Sequence, residues 1–189
     1  MLIKKILKEI YRDFFPQKFS IDETSERQIK RLRKNGAKIG ENVVLINSNI
    51  DSGFYANLLT IGNNVTITNA TCLLHDASTK IPLNYTKVGK IEIGNDVFIG
   101  LHSIVLPGTT IGSKVIVGAG TVLRGNIPDN SVVAGNPWTV LCTYDEYISK
   151  HKEKMSSSVV CDLYPEVLNN PEHEDARNAI AKNGKGYIL

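Results

Sequence analysis

The sequence predicts an all-β solenoid, in which short strands and tight corners alternate, three to a coil, along one axis. Three observations predict it. Apolar residues stand at 39 and 45, at 61, 67 and 73, and at 93, 99, 105, 111, 117 and 123, six apart within each group. Gly follows many of them (Gly40, Gly62, Gly94, Gly100, Gly112, Gly118), and Val returns four places on at Val43, Val65, Val97 and Val115. Aromatic residues make up only 7% of the 189-residue chain, low for a conventional core, so small and β-branched residues must fill the interior. Self-similarity at a fixed period takes precedence over strand-by-strand reading.

A six-residue unit is a short strand plus a corner. Three units close a triangular coil, and coils stack at about the strand spacing, ~4.8 Å. The first residue of each unit points into a narrow interior, hence Ile, Val or Leu. The Gly beside it is expected to permit a corner conformation that a Cβ would hinder. Each coil buries its apolar residues only against its neighbours, so several are needed for stability. Ordinary hairpins would instead show longer period-2 runs joined by Asn-Gly or Asp-Gly turns.

Before the repeat, Ile3, Ile6, Leu7, Ile10 and Phe14 fall at helical spacing within residues 2–15, with Lys4, Lys5, Lys8, Glu9, Arg12 and Asp13 on the other face. This predicts an amphipathic helix that caps the open first coil; contact with a membrane surface is its rival role. Residues 22–35 predict a second helix, acidic at its start, basic at its end and stopped by Asn35-Gly36. Segment 46–60 is out of phase with the repeat, as coil structure carrying a small insertion or deletion would be. Residues 75–90 fit no unit and read as a loop that leaves the prism at His75-Asp76. After Pro137 the repeat ends; 145–155 predicts a short helix and about 171–182 a terminal one. The expected organisation is a helical cap over 1–36, a β-helix over 37–140 and a helix with tail over 141–189.

The net charge is only +3, and no basic run interleaved with aromatics points to nucleic acid. Three cysteines and no CxxC pair argue against a disulfide framework or a structural zinc site, and for a reducing compartment. The charged N-terminal stretch lacks the apolar core of a secretion signal, and no apolar run approaches the ~20 residues of a membrane span. A soluble cytoplasmic protein is expected.

The run IGNDVFIGLHSIVLPGTTIGSKVIVGAGTVLRGNIPDNSVVAGNPW, the lead-in RLRKNGAKIGENV and the phrase HDAST together resemble the hexapeptide-repeat acyltransferases over about residues 31–140. Within that family the run looks like the branch of maltose, galactoside and capsular-polysaccharide O-acetyltransferases. The resemblance implies a left-handed parallel β-helix, an exception to the usual crossover hand. It also implies a homotrimer with active sites between subunits, acetyl-CoA as acyl donor and no metal.

By the same resemblance, His75 is the general base at the root of the excursion loop. Gly100 and Leu101 supply the oxyanion donor, where relatives often carry Ser or Ala in place of Leu101. Gly118 and Ala119 let the pantetheine arm approach the backbone. Arg124, Pro137 and Trp138 complete the donor side, although Arg124-Gly125 replaces a common Thr-Lys. Trp138-Thr139 stands where a small residue and a cation usually follow Gly-Asn-Pro. Asp76, Asn84, Tyr85 and Phe98 fall on the acceptor side.

The chemistry fits those residue types. An alcohol attacking a thioester needs a proton acceptor, and neutral imidazole, with an ordinary pKa near ~6.5, suits that task. The other ring nitrogen needs a carbonyl or carboxylate to fix the tautomer. Asp76 is adjacent, but neighbouring strand residues face opposite ways. His102 lies at an outward position near the donor groove; His151 and His173 lie outside the repeat. Three other functions compete: acetylation of a xenobiotic or other small acceptor, a non-enzymatic scaffold suggested by Leu101, Trp138 and Thr139, and a metal-dependent enzyme of the γ-carbonic anhydrase type. The last needs three histidine ligands, whereas only His75 and His102 lie within the repeat.

Overall fold

Strands β1 (Lys38–Ile39), β2 (Val44–Ile46) and β3 (Asn49–Ile50) make the first turn of a three-faced coil. The next turns are β4 (Leu59–Ile61), β5 (Val65–Thr68) and β6 (Thr71–Cys72), then β9 (Ile91–Ile93), β10 (Val97–Ile99) and β11 (Ile104–Val105), then β12 (Thr110–Ile111), β13 (Val115–Val117) and β14 (Val122–Leu123). Strands β15 (Asn126–Ile127) and β16 (Ser131–Gly135) begin a fifth. This computed structural model describes residues 21–51, 53–162 and 171–188, so the expected helix over 2–15 lies outside the described residues.

Successive strands fall on three faces in rotation. The first face holds β1, β4, β9, β12 and β15; the second β2, β5, β10, β13 and β16; the third β3, β6, β11 and β14. Pairing between coils is parallel throughout, for instance Val97 with Val65 and Val115, and Val105 with Cys72 and Leu123. The second face ends in an antiparallel strand, β17 (Trp138–Thr143), beyond the predicted limit of the repeat.

The interior is a column of branched aliphatic side chains. Ile61, Ile67, Ile93, Ile99, Val105, Ile111, Val117, Leu123 and Ile127 are all buried. The six-residue spacing holds from 93 to 123, but the third residue of the second coil is Cys72, not Leu73. Cys72 is fully buried and in register with Ile50 and Val105, so the two early coils take a shorter step there. Burial pushes its thiol up to about 12, which leaves it an inert core side chain.

The role expected for the glycines also differs. Gly40, Gly62, Gly94 and Gly112 are not in the left-handed region; the positive-φ residues lie two places on, at Asn42, Asn64, Asp96 and Lys114. The glycines are there for close approach: a Cβ on Gly62 would lie 2.5 Å from the Gly94 carbonyl oxygen. Side chains knit the same corner together. Asn63 Oδ1 accepts from Glu41 N at 2.8 Å, Asn95 Oδ1 from Asn63 N at 2.8 Å, and Ser113 Oγ from Asn95 N at 3.0 Å.

Helix α1 (Ile21–Lys34) is hydrogen-bonded to the first coil. Ser25 Oγ accepts from Leu45 N at 2.9 Å, Gln28 Nε2 donates to the Ser48 carbonyl at 2.9 Å, and Arg33 donates to the Ile39 and Gly40 carbonyls. These bonds satisfy edge groups that a further coil would otherwise occupy. Leu32 is fully buried, and Gly36, at φ +97°, ends the helix as its sequence implies.

Residues 22–144 form one compact unit and residues 145–189 belong to a second. The second contains helix α3, which starts at Tyr144 (Tyr144–Ser156), and helix α4 (Glu174–Asn183). It also holds a parallel strand pair, β18 (Val159–Cys161) with β19 (Gly186–Ile188). This pair was not anticipated from the sequence. Among the described residues no helix is long and apolar enough to cross a membrane.

Candidate active site

The coil departs from its regular course twice, and both departures leave from the corner between the third and first faces. On the third coil, Val105 leads to Ile111 by the regular step. On the first, the chain detours between Ile50 and Ile61 through a 3-10 turn at Ala56–Leu58. On the second, it detours between Cys72 and Ile93. There it forms a hairpin of β7 (His75–Asp76) and β8 (Lys87–Val88), with a short helix α2 (Lys80–Leu83) at its tip. Because consecutive coils lie one strand spacing apart, the two detours meet.

They meet at His75. Its Nδ1 is in hydrogen-bond contact with Asp51 Oδ2, from the first detour. The Tyr55 ring lies 5.2 Å from the imidazole, tilted by 35°. The Asp51 side chain is only 16% exposed, whereas that of His75 is 39% exposed. Among the described residues Nε2 has no partner. The sequence reading missed Asp51 and Tyr55, although the out-of-phase segment 46–60 was the signal.

Asp76 points elsewhere. Its carboxylate takes Lys87 Nζ at 2.6 Å and accepts from Ser78 N at 2.8 Å. The hydrogen bond from Lys87, then that from Ser78, hold its carboxyl down at about 2. This pair ties the two hairpin strands together. A depressed carboxyl stabilises what it holds above its ordinary value of 3.8, and that contribution is lost as pH falls toward about 2. Amide protection at Ser78 should therefore persist down to roughly pH 4 and fall below it, and Asp76→Asn should abolish the dependence.

Asn84 ends the tip helix at φ +60° and Tyr85 is 77% exposed, its carbonyl accepting from Thr79 Oγ1 at 2.8 Å. Both belong to the same hairpin as His75.

The residues expected on the donor side lie mostly elsewhere in the chain. Gly100-Leu101, Gly118-Ala119 and the turn leading to Pro137 follow the second-face strands β10, β13 and β16 on consecutive coils. They form a ridge along the corner between the second and third faces. Gly100 has no room for a side chain: a Cβ would lie 2.7 Å from the Val117 carbonyl oxygen and 2.8 Å from Ala119 N. The Leu101 N–H meets no acceptor among the described residues, so it is open to a ligand. Its side chain is 43% exposed.

Trp138 packs partly buried against the core with Nε1 donating to the Arg124 carbonyl at 2.9 Å. Arg124 itself follows the third-face strand β14 and is exposed. Phe98 stands on the outer side of the second face, beside Asn64, Asp96, Ile116 and Tyr144. His102 occupies the donor-side corner in the left-handed region, φ +59°. The third face thus separates the His75 corner from the donor ridge within one chain. The same separation keeps His75 and His102 from ligating one metal in one chain.

A family model described as "Hexapeptide repeat of succinyl-transferase" matches residues 90–124. The chain is 34% identical over 141 residues to a galactoside O-acetyltransferase of Escherichia coli (strain K12), covering 61% of this chain and 68% of that one. It is 37% identical over 128 residues to protein CapG of Staphylococcus aureus, covering 64% and 73%. Among solved structures, a maltose O-acetyltransferase from Clostridium difficile 630 superposes with a TM-score of 0.50 at 27% identity, covering 74% of this chain and 83% of that one. The chain belongs to the hexapeptide-repeat acetyltransferase family. It spans about half the length or less of the first curated relatives it matches, 49% of one and 28% of another.

Proposed function

We propose that this protein is an acetyl-CoA-dependent O-acetyltransferase that transfers the acetyl group directly to a hydroxyl of a sugar or polysaccharide precursor, with His75 as general base. The coil is then left-handed, as the family implies. The single observation that carries the reading is His75 itself. It is a half-exposed imidazole with one nitrogen engaged and the other open, held where the chain leaves a regular coil. The names of the relatives, galactoside and maltose O-acetyltransferase, support a sugar acceptor, and protein CapG fits a capsular one.

In the reaction, Nε2 takes the proton of the acceptor hydroxyl as its oxygen attacks the thioester carbonyl. The Leu101 N–H is a free donor for the developing oxyanion. Collapse breaks the C–S bond, and the imidazolium returns its proton to the departing thiolate. Gly118 and Ala119 flank the pantetheine arm, Arg124 meets a phosphate, Pro137 and Trp138 border the nucleotide, and Asp76, Asn84, Tyr85 and Phe98 surround the acceptor.

Because the His75 corner and the donor ridge lie on opposite sides of the third face, a complete site joins the hairpin corner of one subunit to the ridge of another. This supports a homotrimer with its sites at the interfaces.

The test is direct. Acetyl-CoA at 100 times its Kd should stabilise the protein by about 2.7 kcal/mol in a thermal titration. Thiol release should then depend on added methyl hexoside. Stabilisation without any acceptor-dependent release would favour the scaffold, and no stabilisation would remove acetyl-CoA altogether.

A further inference from the structure

The first detour, between Ile50 and Ile61, has no counterpart on the third or fourth coil. It adds residues at one corner only, directly beside the root of the hairpin. What it delivers there is a carboxylate and an aromatic ring, Asp51 and Tyr55, both against His75. The Asp51 side chain is 16% exposed, so water has limited access to it. A carboxylate withdrawn from water needs a hydrogen-bond donor, and among the described residues its side-chain partner is His75 Nδ1. The other nearby carboxylate, Asp76, is committed to Lys87 and Ser78.

We propose that Asp51 is the positioning residue of this site: its carboxylate accepts the Nδ1–H of His75 and thereby keeps Nε2 unprotonated toward the acceptor. This rests on the acyl-transfer reading of His75 and deepens it. A carboxylate acceptor cannot donate, so it selects the one tautomer in which Nδ1 carries the proton. When Nε2 takes the hydroxyl proton, the imidazolium formed lies against a negative charge already in place. When the thiolate takes that proton back, the ring returns to the same tautomer. The Tyr55 ring beside the imidazole limits its rotation about the Cβ–Cγ bond.

Two measurements test the proposal. Nitrogen-15 NMR of histidine-labelled protein reads the tautomer without any substrate. In the wild type, neutral His75 should show a protonated Nδ1 and an unprotonated Nε2. In the isosteric Asp51→Asn variant, whose amide can donate to Nδ1, the Nε2–H form should gain. Kinetics with acetyl-CoA and methyl hexoside should show kcat falling roughly 10²-fold or more in Asp51→Asn. KM for acetyl-CoA should not change, and Asp51→Glu should recover part of the loss. An unchanged tautomer in Asp51→Asn would overturn the proposal, as would a changed tautomer with unchanged kcat. A fall in kcat that Asp51→Glu deepens rather than relieves would also overturn it, because charge would then not be what matters. Failure of the general-base reading has a different signature: full activity in His75→Ala alongside an intact wild-type tautomer.

Discussion

Replacing His75 with alanine is expected to lower turnover by roughly 10²–10⁴-fold, the usual worth of a general base. On the proposed mechanism affinity for acetyl-CoA should hardly change, because the ring would meet the acceptor and the proposed donor ridge lies at another corner of the prism. The acidic limb of the pH–rate profile should disappear with the imidazole, since only its protonated form is unable to accept the hydroxyl proton. Stability should move little, because the side chain stands outside the column formed by Ile67, Cys72 and Ile99. His102→Ala is the control and should keep both most of the activity and the acidic limb. Steady-state kinetics at saturating acceptor decides the matter: wild-type turnover in His75→Ala removes the mechanism, and an equal loss in His102→Ala assigns the base to the wrong histidine.

Mixing two inactive variants should restore activity. His75→Ala removes the base from the hairpin corner, and Ala119→Trp fills the exposed ridge next to Gly118. Each variant alone should be nearly inactive. If every site pairs the hairpin of one subunit with the ridge of the next, random mixed trimers contain sites assembled from the two intact halves. Those amount to about one quarter of all sites, since each half has an even chance of being intact. Co-refolded or co-expressed protein should then show about a quarter of wild-type activity. A mixture that stays as inactive as its components, although shown to contain both chains in one oligomer, would place the whole site within one subunit.

The solenoid was legible in the sequence because its cause is local. An inward position that tolerates only branched aliphatics, a neighbour with no room for a Cβ and a corner residue able to take positive φ recur on each coil. Ile93, Gly94 and Asp96 show that set as letters. The step at Cys72 was harder to see, because Leu73 is as apolar as the pattern requires and only register with Ile50 and Val105 decides between them. His75 was legible as the point where the phase breaks.

Asp51 was not, for two reasons. Its contact joins residues far apart in the chain, and the detour that carries it appeared only as a loss of phase over 46–60. A phase error says that residues have been added; it does not say which corner they leave from or what they face. The strand pair at Val159–Cys161 and Gly186–Ile188 escaped for a related reason, since two three-residue strands carry too few side chains to show a period.

The close approach of the coils at Gly62 and Gly94 has a consequence for how such a protein can change. With backbone packed on backbone, one corner behaves as a rigid spine, and a side chain added there must push whole coils apart. The corner where the detours leave has the opposite character. Lengthening a surface loop costs only about 0.6 kcal/mol of closure entropy per doubling, and the flanking strands keep their register whatever hangs between them. Mutation is therefore confined along one edge of the molecule and free along another. Lineages could exchange entire hairpins at the free edge, while the edge at Gly62 and Gly94 admits only residues without a side chain.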